Sequence, residues 1–160
     1  MIIAIDPGTF ESALATYDGV KPLWFDILDN FTVLQMFRDA HPVLQGATHC
    51  VIEKIVSYGN AMGQTTIDTA MWTGVFMACC DEHVCKATLM RRKEVGKHLC
   101  LNGNAKDSNI TQALADRFAY GVRNKGKGVI KEPGYFYGFR DDIWQAFALG
   151  VTYWDQNFKE

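Results

Sequence analysis

Three acidic positions stand in apolar surroundings. Asp6 ends the apolar run IIAID, Glu53 lies within VIEKIV, and Asp142, with Asp141 beside it, opens the stretch IWQAFALGVTYW. Ionised carboxylates avoid such surroundings unless a partner or a cation binds them. Three or four carboxylates can hold two Mg²⁺ ions about 4 Å apart, an arrangement that cleaves phosphodiesters by activating water and stabilising the leaving oxygen. The acids therefore predict a two-metal phosphodiesterase site if they meet in space.

Each acid also has a simpler structural interpretation. Asp6 precedes Pro7 and Gly8, and Asp-Pro-Gly is a turn sequence. Glu53 on a strand can point to solvent, and Asp141 or Asp142 can cap the final helix or complement its dipole. Singly, these interpretations are the stronger ones. Jointly they are weaker, because clustered carboxylates repel one another unless a cation lies between them.

The elements that position these acids follow an α/β order. Alternating or continuous apolar runs predict strands over IIAID, SALATYD, PLWFDIL, THCVIEKIV and VCKATLM. Helical spacing predicts helices over FTVLQMFRDA, TTIDTAMWTGVFMACCDE, RRKEVGKHLC, the segment ending in NITQALADRFA, and DDIWQAFALGVTYWDQN. The Gly-rich segment GVRNKGKGVIKEPGYFYGF predicts a long basic loop. This order indicates an α/β fold with a central mixed sheet flanked by helices.

Length and composition predict one globular domain over residues 1–160, with a hydrophobic fraction of 48% and a charged fraction of 21%. No stretch approaches the length of a membrane span, and MIIAIDPG lacks a signal-type segment, so we expect a cytoplasmic protein with no membrane partner. The five cysteines predict reduced core thiols. Cys80, His83 and Cys85 lie close together, but no second ligand pair at zinc-site spacing follows them.

Charge is distributed unevenly along the chain. The net charge is only -2, yet residues 86–140 carry twelve Lys and Arg residues against four Asp and Glu residues. Residues 1–85 carry three against ten. The basic segment is either the footprint of a polyanion or a surface whose charges are neutralised by acidic segments in the folded protein. The two interpretations are evenly balanced.

Several stretches, in this order, resemble the RuvC family of Holliday-junction resolvases in the ribonuclease H-like superfamily: IAIDPG, VIEKIVSYGNAMG, RRKEVGKHL, NAKDSNITQALADRF and PGYFYGFRDDIW. The resemblance covers nearly the whole chain and is strongest to the versions encoded by bacteriophages. IDPG alone also resembles actin-like ATPases, but these need two such domains. The resemblance implies a ribonuclease H-like fold and a homodimer that cleaves four-way DNA junctions with Mg²⁺, for which Mn²⁺ can substitute. It implies no small-molecule cofactor, and action in the bacterial host cytoplasm if the protein is phage-encoded.

The resemblance also implies which residues bind the metals. Asp6 and Glu53 would do so, and an acid on the final helix would complete the site. Family members usually carry two acids three residues apart on that helix; Asp142 matches the first, whereas Gln145 stands at the second. Gln145 would share a helix face with Asp142, and Asp141 lies about 100° around. The fourth ligand stays open between Asp141, Asp107, the Gln145 carbonyl and water, with Asp142 ranked above Asp141.

Five basic residues are candidates for contacts with DNA phosphates: Arg91, Arg92, Lys93, Lys97 and Lys106. One of the lysines would stabilise charge in the transition state. The alternative for each is a solvated helix face. A further acid, Asp107, starts the helix after Lys106, and we expect it to act as a cap.

Tyr58 and Met62 lie in the segment that follows Glu53. They match the region where the family approaches the centre of the junction, and an aromatic ring there can wedge between unstacked bases. Phe136, Tyr137 and Trp144 are expected to pack the core beside the site. The run AMWTGVFMACC supplies either a helix for a two-fold dimer interface or ordinary core.

Three rival functions remain. One is a nuclease of the same fold that cuts other branches, flaps or RNA–DNA hybrids. Another is a catalytically inactive junction-binding module, because Gln145 replaces an expected acid. The third is an ATP-handling actin-like fragment.

Overall fold

The computed structural model describes residues 1–57, 59 and 61–159. Its centre is a five-stranded sheet with the strand order β3-β2-β1-β4-β5. The strands are β1 (Ile2–Asp6), β2 (Glu11–Tyr17), β3 (Pro22–Asp29), β4 (His49–Lys54) and β5 (Ala87–Arg91). The first three strands pair antiparallel through short turns, whereas β1, β4 and β5 are parallel and need helical crossovers. The predicted mixed α/β sheet is confirmed.

Five helices surround the sheet: α1 (Asn30–Arg38), α2 (Gln64–His83), α3 (Arg92–Cys100), α4 (Asp107–Phe118) and α5 (Ile143–Asn157). Short 3-10 turns lie at Pro42–Leu44 and Arg123–Gly126. The segment predicted as a basic loop contains a small hairpin of β6 (Gly128–Val129) and β7 (Glu132–Pro133). None of the helices in the described part of the chain is long and apolar enough to cross a membrane.

The two faces of the sheet bury separate apolar clusters. Side chains alternate along a strand, so Ile3 and Ile5 face one side and Ile2 and Ala4 the other. The first side packs against α1 and α2, and the second against α3, α4 and α5. Because β1 and β4 are covered on both faces, they read in the sequence as nearly continuous apolar runs. An acid at the end of such a strand therefore lies beside the core.

Helix α5 lies very close to the sheet. A Cβ atom added at Gly150 would come within 3.1 Å of the Ala4 Cβ, so the helix crosses β1 where neither residue has a large side chain. At the other end of α5, Asp155 ties three helices together: its carboxylate accepts hydrogen bonds from His98 Nε2 and Arg117 Nη2, both at 2.8 Å. Burial alone would raise the pKa of Asp155, but the hydrogen bonds from Arg117 and His98 lower it to about 2.

The cysteines are free thiols, and Cys50, Cys79 and Cys80 are buried. The Cys80 and Cys85 sulfur atoms are 3.9 Å apart, which is a contact and not a bond. Cys80 donates to the Cys85 carbonyl oxygen at 3.2 Å. These positions agree with core thiols.

Candidate active site

Asp6 and Glu53 lie side by side at the carboxyl ends of two parallel strands. Ile5 of β1 pairs with Ile52 of β4, and the two acids are the next residues on their strands. By the alternation of side chains, Asp6 follows Ala4 and Glu53 follows Val51 onto the face covered by α5. Both carboxylates are therefore held at one edge of the sheet, under the start of the final helix.

A hydrogen-bonded turn fixes the position of Asp6. The Gly8 amide donates to Ser12 Oγ at 3.2 Å, and the Asn30 Nδ2 donates to the Gly8 carbonyl at 3.0 Å. Ser12 Oγ in turn donates to Asn30 Oδ1 at 2.6 Å, and both side chains are buried. A side chain at Gly8 would collide with the Glu11 carbonyl oxygen. The Asp-Pro-Gly turn interpretation and the site interpretation of Asp6 are thus compatible, because the turn holds the acid.

Asp142 occupies the N-cap position of α5, with no hydrogen bond from its side chain to the helix. Its carboxylate is near enough to Asp6 and Glu53 to raise the pKa of both. Asp141 precedes the helix in a left-handed backbone conformation with a φ of 40° and an exposed side chain. Its nearest cation is Arg140, at 3.9 Å. The structure thus brings Asp142, and not Asp141, to the other two acids.

The acids destabilise one another in their ionised forms. Burial, followed by the charges of Glu53 and Asp142, raises the pKa of Asp6 well above its usual range. Burial is also the largest cause for Glu53, whose pKa rises to about 7. The pKa of Asp142 is raised by burial, then by Asp107, then by Asp141. Such a cluster attracts cations, since a cation between the acids would relieve both the repulsion and the loss of hydration.

Arg92 and Asp107 form an ion pair beside this cluster. Arg92 begins α3 directly after β5, and its guanidinium donates to the Asp107 carboxylate at the first residue of α4. Arg92 lowers the pKa of Asp6 and Glu53, whereas Asp107 raises it. The prediction that Asp107 caps its helix is wrong: Lys106 occupies the cap position, and Asp107 pairs with Arg92 instead. An acid at the start of a helix is the sequence pattern of an N-cap residue. The same pattern fits an acid that pairs with a neighbouring arginine, so the sequence alone does not distinguish the two roles.

Gln145 is buried, with 8% of its surface exposed. Its Oε1 atom has no hydrogen-bond partner among the described residues. Gln145 follows Asp142 by three residues, so the two lie on neighbouring positions of one helix face. A buried amide oxygen without a partner costs stability, which makes this atom a candidate to coordinate a cation or to accept a hydrogen bond from a bound group.

The donor chemistry fits Mg²⁺ or Mn²⁺. Asp6, Glu53 and Asp142 offer only carboxylate oxygens, the ligands that hard divalent cations prefer. Within residues 1–57, 59 and 61–159, however, no three His, Cys, Asp or Glu side chains form a ready-made metal site. The acids share one edge of the sheet without surrounding a common point.

Four of the five predicted phosphate-binding residues lie at the edge of the sheet that carries the acids. Arg91 ends β5, Arg92 and Lys93 open α3, and Lys106 precedes α4. Except for the half-buried Arg92, these side chains are exposed. Lys97 lies one turn further along α3, beside His98 and Gln156, at the end of α5 away from Asp142. The first four positions suit phosphates that approach the acids, and the contacts themselves stay a prediction.

The predicted wedge and packing residues have mixed outcomes. Met62 lies in the segment before α2 and is exposed, whereas Tyr58 falls outside the described residues. Phe136 and Trp144 pack the core with ring centroids 4.6 Å apart. The prediction that Tyr137 packs the core is wrong: 41% of its surface is exposed, and Phe136 and Phe139 take the buried positions of this segment.

A groove of about 660 Å³ beside the start of α5 is lined by Asp141 and Asp142 and by residues of the turn after β1, including Thr9 and Phe10. Asp6 and Glu53 are not among its lining residues. A second groove of about 610 Å³ shares Thr9 and Phe10 and is lined on α2 by Met71 and Val75.

Comparison with solved structures supports the same fold. The Thermus thermophilus RuvC structure shares 14% identity, covers 97% of this chain and 95% of its own, and has a TM-score of 0.60. The T. thermophilus RuvC in complex with a Holliday junction substrate shares 12% identity over 99% of this chain and 96% of its own, with a TM-score of 0.65.

The Fowlpox virus resolvase, solved with substrate Holliday junction DNA, shares 15% identity over 99% of both chains, with a TM-score of 0.56. No family model matches the sequence, and the search of curated proteins found no match. The fold is therefore ribonuclease H-like, of the kind found in RuvC and in this viral resolvase.

Proposed function

We propose that this protein is a Mg²⁺-dependent, structure-selective DNA endonuclease that resolves four-way junctions. The observation that carries the proposal is the convergence of Asp6, Glu53 and Asp142 at one edge of a resolvase-type sheet. These three residues are 47 or more positions apart in sequence, so their meeting is a property of the fold. The solved structures with junction DNA favour branched DNA as the substrate.

The chain supplies the surroundings for phosphodiester hydrolysis. When bound, two divalent cations would supply an activated water and stabilisation of the leaving oxygen. Asp6 and Glu53 would hold them from adjacent strands, and Asp142 from the start of α5. The exposed basic residues at the starts of α3 and α4 would position phosphates over that edge. The half-buried environment limits water around the acids, which strengthens their electrostatic effect.

A homodimer follows from the substrate, because resolving a four-way junction takes two symmetric cuts. Helix α2 offers an apolar surface for it. Thr73, Phe76 and Cys80 face the core, whereas Ile67, Met71 and Val75 lie on the opposite side and are 42%, 66% and 40% exposed. The latter three recur every four residues and form one stripe along the helix. We propose that two copies join through this stripe.

We further propose a bacteriophage-type role, with action in the cytoplasm of a bacterial host, where branched DNA arises. Mn²⁺ is expected to replace Mg²⁺ in vitro, because both accept oxygen ligands in similar geometry.

One substrate panel tests the proposal. A labelled four-way junction, a fork, a linear duplex and an RNA–DNA hybrid are incubated with the protein, with and without Mg²⁺. Paired symmetric nicks in the junction, and little cutting of the others, are expected. Preferential cutting of forks or hybrids would instead indicate a nuclease of the same fold with another substrate. Junction binding without cutting in Mg²⁺ or Mn²⁺ would indicate an inactive binding module.

A further inference from the structure

Asp107 belongs to α4, which supplies none of the three proposed ligands. It lies near the acidic edge, the end of the sheet that carries Asp6 and Glu53. In the sheet, Met90 of β5 pairs with Glu53 of β4, and Arg92 lies two residues beyond Met90. Arg92 therefore leaves the sheet at the edge where Glu53 ends its strand. Because Asp107 pairs with Arg92, the first turn of α4 lies at this edge as well.

The packing of α4 against α5 brings Asp107 toward Asp142. Ile110 and Leu114 of α4 belong to the same buried cluster as Ile143 and Phe147 of α5. Near the other ends of the two helices, Arg117 of α4 donates to Asp155 of α5. The two helices therefore run in the same direction, with both starts on the side of the acids. The electrostatics agree, since Asp107 raises the pKa of Asp142 more than the adjacent Asp141 does. Asp107 also raises the pKa of both Asp6 and Glu53.

Gln145 supplies an independent sign that a ligand belongs here. It lies one turn after Asp142 on the same helix face, and its buried Oε1 lacks a partner in the described part of the chain. An oxygen that has lost water and gained no donor is satisfied by a cation or by a ligated water. Gln145 is neutral, however, and cannot balance the charge of a divalent ion.

We propose that Asp107 provides the fourth carboxylate of the metal site, from the start of α4, where the final helix offers only Gln145. In the metal-free protein Arg92 holds this carboxylate, and a divalent cation competes with the guanidinium for it. The inference rests on the proposed function, because it concerns the same metal site. It adds a ligand contributed by an element outside the two strands and the final helix.

Metal binding without DNA tests the assignment. Mn²⁺ binding is measured by titration calorimetry and by Mn²⁺ electron paramagnetic resonance, on the wild type and on Asp107→Asn. Removing one charged ligand is expected to weaken binding tenfold or more. The matched control is Asp116→Asn, an exposed acid later on the same helix, which is expected to bind like the wild type. Binding by Asp107→Asn within twofold of the wild type would overturn the assignment.

A double-mutant cycle separates direct ligation from an indirect effect through Arg92. Asp107→Asn leaves Arg92 free to approach Asp6 and Glu53, which alone could weaken metal binding. Arg92→Met is therefore compared with Arg92→Met/Asp107→Asn. If Asp107 is a ligand, the tenfold loss persists without the arginine. If the double variant binds Mn²⁺ as tightly as Arg92→Met, Asp107 acts only as the counter-ion of Arg92 and the proposal is wrong.

The variant Asp6→Asn separates a failure of the Asp107 assignment from a failure of the proposed metal site as a whole. Loss of Mn²⁺ binding in Asp6→Asn, combined with wild-type binding in Asp107→Asn, would leave the metal site in place and remove only Asp107 from it. A wild type that binds no Mn²⁺ would contradict the metal site and the Asp107 assignment together. Thermal unfolding in EDTA checks that each variant is folded, and the high exposure of the Asp107 side chain predicts no large change.

Discussion

At the scale of single residues, the candidate site is governed by repulsion between acids that the fold forces together. Asp6 and Glu53 are held by neighbouring strands, and Asp142 is held by the start of α5. Arg92 is the cation of the described chain that lowers the pKa of both strand acids. One guanidinium does not neutralise three carboxylates, so we expect the ionised group to be stabilised by additional positive charge.

The two acids before α5 should differ in importance. Asp142 interacts with Asp6 and Glu53, whereas Asp141 is turned outward by its positive φ. We predict that Asp142→Asn lowers the rate of junction cleavage by at least 100-fold, because it removes a metal ligand. Asp141→Asn should stay within fivefold of the wild type. Single-turnover cleavage rates in Mg²⁺ provide the comparison, and a larger loss in Asp141→Asn than in Asp142→Asn would reverse the assignment.

Glu53 gives the metal-free protein a characteristic pH dependence. Its pKa is about 7 in the folded state against an ordinary value of 4.5, so the folded state binds more protons than the unfolded state between these values. Stability should therefore decrease as the pH rises from about 4.5 to about 7. Glu53→Gln removes this loss and should be more stable than the wild type at pH 8, by on the order of 1 to 3 kcal/mol.

Urea unfolding in EDTA measures this effect. The advantage of Glu53→Gln should be large at pH 8 and should shrink toward pH 5, where the wild-type carboxyl is protonated in the folded state. An advantage that is equal at both pH values would show that it comes from packing and not from the charge of Glu53.

The sequence identified Asp6, Glu53 and Asp142 because an acid is unusual in or beside an apolar run. It offered Asp107 only as one alternative for the fourth ligand and favoured a helix cap for it. Asp107 and its partner Arg92 both lie in polar segments, where charged residues are expected on the surface. Their proximity to the acids depends on the way α4 packs on α5, and no local pattern encodes this distance.

At the scale of elements, the site depends on the turn that follows β1. Ser12 from β2 and Asn30 from α1 hold Gly8 from both sides, so three elements determine where Asp6 points. Asn30 is not among the candidate site residues that the sequence pattern singles out. The structure shows it as a buried residue at the start of α1. Asn30 is a positioning residue, since it acts on Asp6 through the backbone of Gly8.

Asn30→Ala tests this positioning role. It removes two hydrogen bonds and leaves Ser12 Oγ and the Gly8 carbonyl without that partner, so we expect a loss of about 2 kcal/mol in stability. Cleavage should fall tenfold or more even where the variant is fully folded, and the Mg²⁺ concentration for half-maximal rate should rise. Gln112→Ala, at an exposed position of α4, is the control. Unchanged metal dependence in folded Asn30→Ala would show that Asn30 is merely structural.

Elements with a strong apolar pattern were predicted correctly from the sequence, and elements with a weak pattern were not. IIAID and VIEKIV were recognisable strands because both of their faces are buried. The hairpin within residues 121–139 was predicted as a loop, because its strands have two residues each and carry no apolar alternation. The last helix was predicted to include Asp141 and Asp142, but the left-handed conformation of Asp141 delays its start to Ile143.

At the scale of the whole molecule, the proposed resolution of four-way junctions requires two-fold assembly. The exposed stripe on α2 leads us to expect a dimer that Met71→Glu disrupts, because the substitution puts a charge into an apolar interface. Light scattering after gel filtration should show a wild-type dimer and a Met71→Glu monomer. Val122→Glu, at an exposed apolar position away from α2, should remain dimeric. A monomeric wild type, with and without junction DNA, would contradict the assembly.

Identities of 12–15% to the solved structures mean that the shared fold has been retained with almost entirely different side chains. The fold therefore cannot carry the functional assignment alone, and the acids at the edge of β1 and β4 must do so. The central claim is that Asp6 and its neighbours bind the metal that cleaves junction DNA.

The most direct measurement compares wild type and Asp6→Asn on one labelled four-way junction in Mg²⁺, with binding and cleavage followed in the same samples. The account predicts paired symmetric nicks by the wild type. Asp6→Asn should bind the junction with similar affinity and cut it at least 1000-fold more slowly. Cleavage by Asp6→Asn at the wild-type rate would contradict the account.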